Sequence, residues 1–192
     1  MPPRDPHRRQ KLLELGLHLW LTRGYAGFSF ADLARGTGIR KASVHHHFAT
    51  KGALVVALIE HQGELAQGFV AWSATQPAEV VLRVFLDGYA RLLDTPDELC
   101  AAGAICADLA VLPPEPAALG QRYLAAQRTW LIATLRRGPW SDPTDLADTI
   151  LAALQGGLQR ARASGEPERL LATVRTLHRL LQSPNPTPRT PD

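Results

Sequence analysis

Nowhere along the 192 residues do apolar and polar side chains alternate with the two-residue period of a half-buried strand. Leu and Ala recur at spacings of three and four, the repeat of one helix face, and Gly and Pro cut that pattern into segments. The chain therefore reads as all-α, with about nine helices. The first runs from Pro6 to Arg23 and stops at Gly24. The second starts at Ser29, where Ser29 and Asp32 form a capping box, and ends near Gly36. The third runs from Arg40 to His47, and a long fourth, capped by Thr50, reaches about Ala74. Pro77 opens the fifth in its first turn. The sixth lies between Pro96 and Leu112, the seventh follows Pro113, Pro114 and Pro116, and Gly138-Pro139 ends it. The eighth spans Asp142-Pro143 to Ala163, and the ninth opens at Glu166-Pro167 and closes at Leu181. Four prolines within residues 183–192 predict a loose tail.

Composition narrows the class. Hydrophobic residues make up 45% and charged residues 20%, the balance of a globular protein rather than a disordered one. No run is apolar enough for a membrane span, and Met1 to Arg9 make a poor signal peptide, so a cytoplasmic protein is expected. Cys100 and Cys106 form no Cys-x-x-Cys motif. On a continuous helix their six-residue separation is about 9 Å of rise, beyond the roughly 7 Å that a disulfide tolerates. A bridge would need a break near Gly103, and small buried thiols are the plainer reading. No phosphate loop, Rossmann fingerprint, Gly-x-Ser-x-Gly or His-Glu-x-x-His is present, so an enzyme is not expected. No cofactor is expected either.

Charge is divided. Residues 1–51 hold nine Lys/Arg against three acids, a net of +6, while the remainder carries −3. Five of the seven histidines also lie in that first part. A basic front on an acidic body suits a polyanion partner at the N-terminal end. Residues 29–48 give the partner a shape. Two short helices flank Gly38, which can take the left-handed turn. Ala34 is small where the helices cross, and Leu33, Ile39 and Val44 are spaced to close a small core. This is a helix-turn-helix, whose second helix enters the major groove of double-stranded DNA. Arg40, Lys41 and Ser43 lie at the start of that helix as base-edge or phosphate contacts. His45, His46 and His47 are not a metal site, because neighbouring helical residues point about 100° apart.

The residues Gly24-Tyr25, Phe28-Ser29-Phe30-Ala31-Asp32-Leu33-Ala34, Gly38-Ile39 and His47-Phe48-Ala49-Thr50-Lys51-Gly52-Ala53-Leu54 resemble the TetR family of bacterial transcriptional regulators, over about residues 8–58. More weakly, Cys100 to Cys106, Leu112-Pro113-Pro114-Glu115 and Leu154-Gln155-Gly156-Gly157 with Arg160-Ala161-Arg162 resemble one branch of the family's ligand domains. Two positions depart from the pattern: His45 stands where the family carries Tyr, and Ala49 where it carries Pro.

The resemblance implies a DNA-binding domain at residues 1–52 and a ligand-binding and dimerisation domain at 53–182. It also implies a homodimeric, effector-released repressor of a palindromic operator; an architectural or activating DNA-binding protein without effector is the alternative. The implied DNA contacts are Ser29, Arg40, Lys41, Ser43, His45, His46, Thr50 and Lys51, with Lys51 on a phosphate. For a small-molecule effector, His61, Gln62 and Leu65 on helix four, with Phe85, Tyr89, Cys106 and Trp130, read as either core or pocket. In the family the last two helices pair with those of a second subunit. That places Ile150, Leu154, Gly157, Leu158, Val174, Leu177 and Leu181 at the interface; packing within one subunit is the other reading of the same apolar stripes.

Overall fold

The computed structural model describes residues 6–95 and 97–182, so the expected tail at 183–192 lies outside the described residues. Among those described are nine α-helices and no strand: α1 (Pro6–Arg23), α2 (Phe30–Thr37), α3 (Lys41–His47), α4 (Lys51–Ala74), α5 (Ala78–Ala90), α6 (Ala101–Asp108), α7 (Pro114–Leu135), α8 (Pro143–Ser164) and α9 (Glu168–Gln182). Arg40 and Pro77 prove to be cap residues just ahead of α3 and α5 rather than helical ones. A 3-10 turn at Arg91–Asp94 follows α5. Gly88, three residues ahead of it, lies inside α5 rather than ending it, and the sequence pattern set no end for this helix.

The helices form two compact units. One is built from residues up to 67 together with 97–124, the other from 68–96 and from 125 onward. The division does not fall at residue 52: α6 and the leading parts of α4 and α7 join α1–α3. In the first unit Leu12, Trp20, Leu33, Val44, Leu54 and Ile105 are fully buried in one core. Burying side chains of this size contributes about 1.5–3 kcal/mol each before chain entropy is counted. Cys100 caps α6, its Sγ accepting the Gly103 amide at 3.2 Å. The helix is continuous through Gly103, Cys100 and Cys106 are not joined in a disulfide, and the expectation of two buried thiols fails: Cys100 is half-buried and Cys106 exposed.

In the second unit α9 packs against both α5 and α8. Here the interface expectation is corrected. Ile150 and Leu154 are 0% exposed, and Leu158, Leu177 and Val174 no more than 5%. Gly157 is buried, and a Cβ there would lie 2.9 Å from Thr173 Oγ1 of α9. Leu181 is half-buried, its carbonyl accepting the Trp140 indole N–H at 3.0 Å. All of these side chains except Leu181 are enclosed within the chain and so cannot also cover a partner. The inner apolar stripes of α8 and α9 are spent on each other and on α5.

Candidate nucleic-acid interface

Three short features aim α3. Ser29 is extended, and Asp32 Oδ2 accepts both its amide (2.9 Å) and its hydroxyl (2.7 Å). The Ser29 hydroxyl, first among the causes, and then the Ser29 amide hold the Asp32 carboxyl below its usual pKa. Gly38, at φ 69°, ends α2 in the left-handed region that favours glycine, and the Ile39 amide returns to the Ala34 carbonyl at 3.1 Å. Val44, fully buried, then pins α3 by its inner face.

What remains of α3 points outward. Arg40, Lys41, His45 and His46 are exposed, and Ser43 is half-buried at the edge of that surface. The His45 ring stands edge-on to Phe30, with centroids 4.9 Å apart, and its Nδ1 lies 3.4 Å from the Ala49 carbonyl oxygen. His46 meets His47 at 5.7 Å, also edge-on. Thr50 caps α4, its Oγ1 accepting the Ala53 amide at 3.0 Å. Arg9, on α1, had no motif to single it out beyond the basic bias of the N-terminal part. Its guanidinium lies 5.5 Å from the centre of the Phe48 ring, just past the end of α3.

Lys51 does not follow expectation. Its ammonium is turned inward, donating to the carbonyls of Tyr25 and Phe28, and lies 4.5 and 4.2 Å from the centres of their rings. Burial pushes its pKa down. The position matches the family's phosphate contact, but here the side chain ties the α1–α2 loop to α4. A second inward charge holds the same loop. Asp108 Oδ2, at the end of α6, accepts the Trp20 indole N–H and the Tyr25 amide, both at 2.7 Å. Nothing in the spacing of Asp108 announces this, since its partners are 83 and 88 residues away.

The expected effector residues separate. His61, Gln62, Leu65 and Cys106 belong to the first unit, and Phe85, Tyr89 and Trp130 to the second. The apolar stripe of α4 stops short of Leu65, which is 62% exposed, and Cys106 faces outward as well. His61 and Gln62 are half-buried, with His61 Nδ1 3.7 Å from Glu64. The other three do meet. Phe85 stands 5.5 Å from Tyr89 and 5.0 Å from Trp130, and Phe69 continues the series at 5.4 Å from Trp130. The polar tips are satisfied: Trp130 donates to Ser73 Oγ at 3.0 Å, and Gln155 donates to the Tyr89 hydroxyl at 3.3 Å. Ser73 falls in no recognisable pattern, and Gln155, although it lies in the Leu154–Gly157 segment that resembles the family's ligand domains, was not singled out as a partner of the rings.

Residues 12–58 match the description of bacterial regulatory proteins of the tetR family. Over 74 residues the chain is 35% identical to the HTH-type transcriptional repressor KstR2 of Mycobacterium tuberculosis, covering 38% of this chain and 34% of that one. The match thus spans about a third of the relative's length. Similarity to the repressor DhaR of Mycobacterium sp. is longer but weaker, 23% identity over 170 residues, covering 84% of this chain and 86% of that one. Among solved structures, a TetR transcriptional regulator from Legionella pneumophila superposes with a TM-score of 0.83 at 23% identity, covering 94% and 99% of the two chains. A TetR-family regulator from Agrobacterium tumefaciens gives 0.83 at 24% identity, covering 91% and 97%. Residues 12–58 thus carry a helix-turn-helix similar to that of the tetR family, and the chain as a whole shares the all-helical fold of these regulators.

Proposed function

We propose that the chain is a DNA-binding transcriptional regulator that reads double-stranded operator DNA through α3. The observation that supports it is the two-sidedness of α3: Val44 is locked into the core while Arg40 at the N-cap and Lys41, His45 and His46 along its two turns stand outward. Arg40 can bridge guanine O6 and N7. Lys41, Ser43, Thr50, the two histidines and Arg9 hold the register on phosphates. Ser29, its hydroxyl engaged by Asp32, contributes by setting the start of α2. The regulator acts as a homodimer on a palindromic site, and an effector held near Phe85, Tyr89 and Trp130 shifts it to a state with lower operator affinity. The dimer face is the one α8 and α9 leave exposed: Thr149, Ala152, Gly156 and Ala163, with Ala172, Thr176 and Leu180.

Operator sequences selected from a random duplex library would be titrated by fluorescence anisotropy across salt. Arg40→Ala should relax base preference at one position and cost on the order of 1–3 kcal/mol on the best site. Arg9→Ala should weaken all sequences alike and lower the salt slope by about one unit. Failure of the selection to enrich any sequence would point instead to an architectural binder.

A further inference from the structure

We propose that a groove in the second unit, distinct from the aromatic cluster, binds a small monocarboxylate with an apolar body. The groove encloses about 430 Å³ between α5, the Pro139-Trp140 corner and the last turn of α9. That volume lies within the range of small-molecule sites. Its charged edge lies on the other side of α5 from the rings. Glu79, Arg83 and Asp87 succeed one another at four-residue steps and share a face, whereas Phe85 and Tyr89 sit about half a turn of the helix away.

The groove is mostly apolar, walled by Val80, Leu82 and Leu181 over Trp140. Trp140 is only 7% exposed, and its N–H is fixed on the Leu181 carbonyl at 3.0 Å. The floor is thus set before anything binds, which spares a ligand the cost of ordering it. The charges lining the groove define the head group. Among the described residues Arg83 is exposed and has no carboxylate partner, although its planar fork suits one. Asp87, one turn after Arg83 on α5, is engaged by His178 Nε2 at 2.8 Å. Glu79, one turn before Arg83 and also at the groove, repels a second negative charge. A monoanion meets one guanidinium, whereas a dianion also meets Glu79.

The test uses the full chain without DNA, titrated calorimetrically with 3-phenylpropionate, its amide 3-phenylpropionamide, and phenylsuccinate, which adds a second carboxylate. Saturable binding of 3-phenylpropionate is expected, weakened at least tenfold by Arg83→Gln and partly restored by Arg83→Lys. The amide should bind wild type and Arg83→Gln alike. Phenylsuccinate should bind more weakly than 3-phenylpropionate in wild type, and Glu79→Gln should narrow that gap. Arg83 is on the surface, so matched melting curves will show that the variants fold. No saturable binding, or an equal affinity for 3-phenylpropionate in wild type and Arg83→Gln, overturns the proposal. So does an effect of Arg83→Gln on self-association with none on the ligand, because the groove would then face a second copy.

Discussion

The two units place their charges in opposite ways. In the first, Asp108 and Lys51 point inward and hold backbone and indole groups of the α1–α2 region. In the second, ion pairs such as Arg128–Asp148 and Arg175–Glu168 lie on the surface, and the interior is joined mainly by apolar side chains and rings, with neutral polar ties such as Trp130–Ser73. A charged tie to backbone there, Arg137 on the Ser73 carbonyl at 3.0 Å, comes from an exposed residue. The difference follows from the size of what must be held. The α1–α2 loop and the two-turn α3 bury few large side chains of their own, so distant polar groups fix them. The long α8 and α9 bury enough apolar surface on each other to need no such ties.

Breaking an inward tie should therefore cost most. Asp108→Ala leaves the indole N–H of the fully buried Trp20 without its acceptor and frees the Tyr25 amide. A loss of about 3 kcal/mol is expected by chemical denaturation. A loss near zero would mean that the loop holds itself. Gly157→Leu should come next, at about 1–3 kcal/mol, by overpacking Thr173 and Leu170 of α9. Gly156, where an added Cβ meets nothing within 4 Å, is the contrast. Gly156→Leu should leave the melt of the isolated subunit intact while weakening dimerisation in sedimentation experiments. If the two variants behave alike, the separation of an inner and an outer face of α8 is wrong.

Lys51→Met keeps the side-chain stem but removes the ammonium from the carbonyls of Tyr25 and Phe28. It should destabilise the first unit by about 1–2 kcal/mol and leave the salt slope of DNA binding unchanged. A slope reduced by about one unit would show that Lys51 turns out to meet phosphate when DNA is present. The smallest effect belongs to the second unit's surface: Arg128→Ala, which removes an exposed pair, should leave the melting temperature where it was.

The same contrast explains what could be read from the chain. Helix boundaries were legible because Gly24, Gly38, Thr50, Pro143 and Gly165 act locally, each through its own backbone or cap. The outward residues of α3 were legible because a helix-turn-helix ties face to register over twenty positions. The apolar stripes of α8 and α9 were seen correctly as stripes, but periodicity does not say whether a stripe covers a neighbour in the same chain or in another. The inward turn of Lys51 and the reach of Asp108 escaped because their partners are loop carbonyls, an amide and an indole, none of which leaves a trace in residue spacing.

The shortness of α3 has a consequence for information content. Seven residues rise about 10 Å, the length of roughly three base-pair steps at 3.4 Å each. In the homodimer proposed above, two such helices would read about six base pairs directly. A given six-letter word occurs by chance roughly once in 4,000 positions, far too often to single out one operator among the 10⁶ or more sites of a genome. The missing discrimination has to come from the fixed distance between two half-sites and from how readily the uncontacted DNA between them bends. For such a regulator, changing the spacer by a single base pair should be as damaging as changing a contacted base.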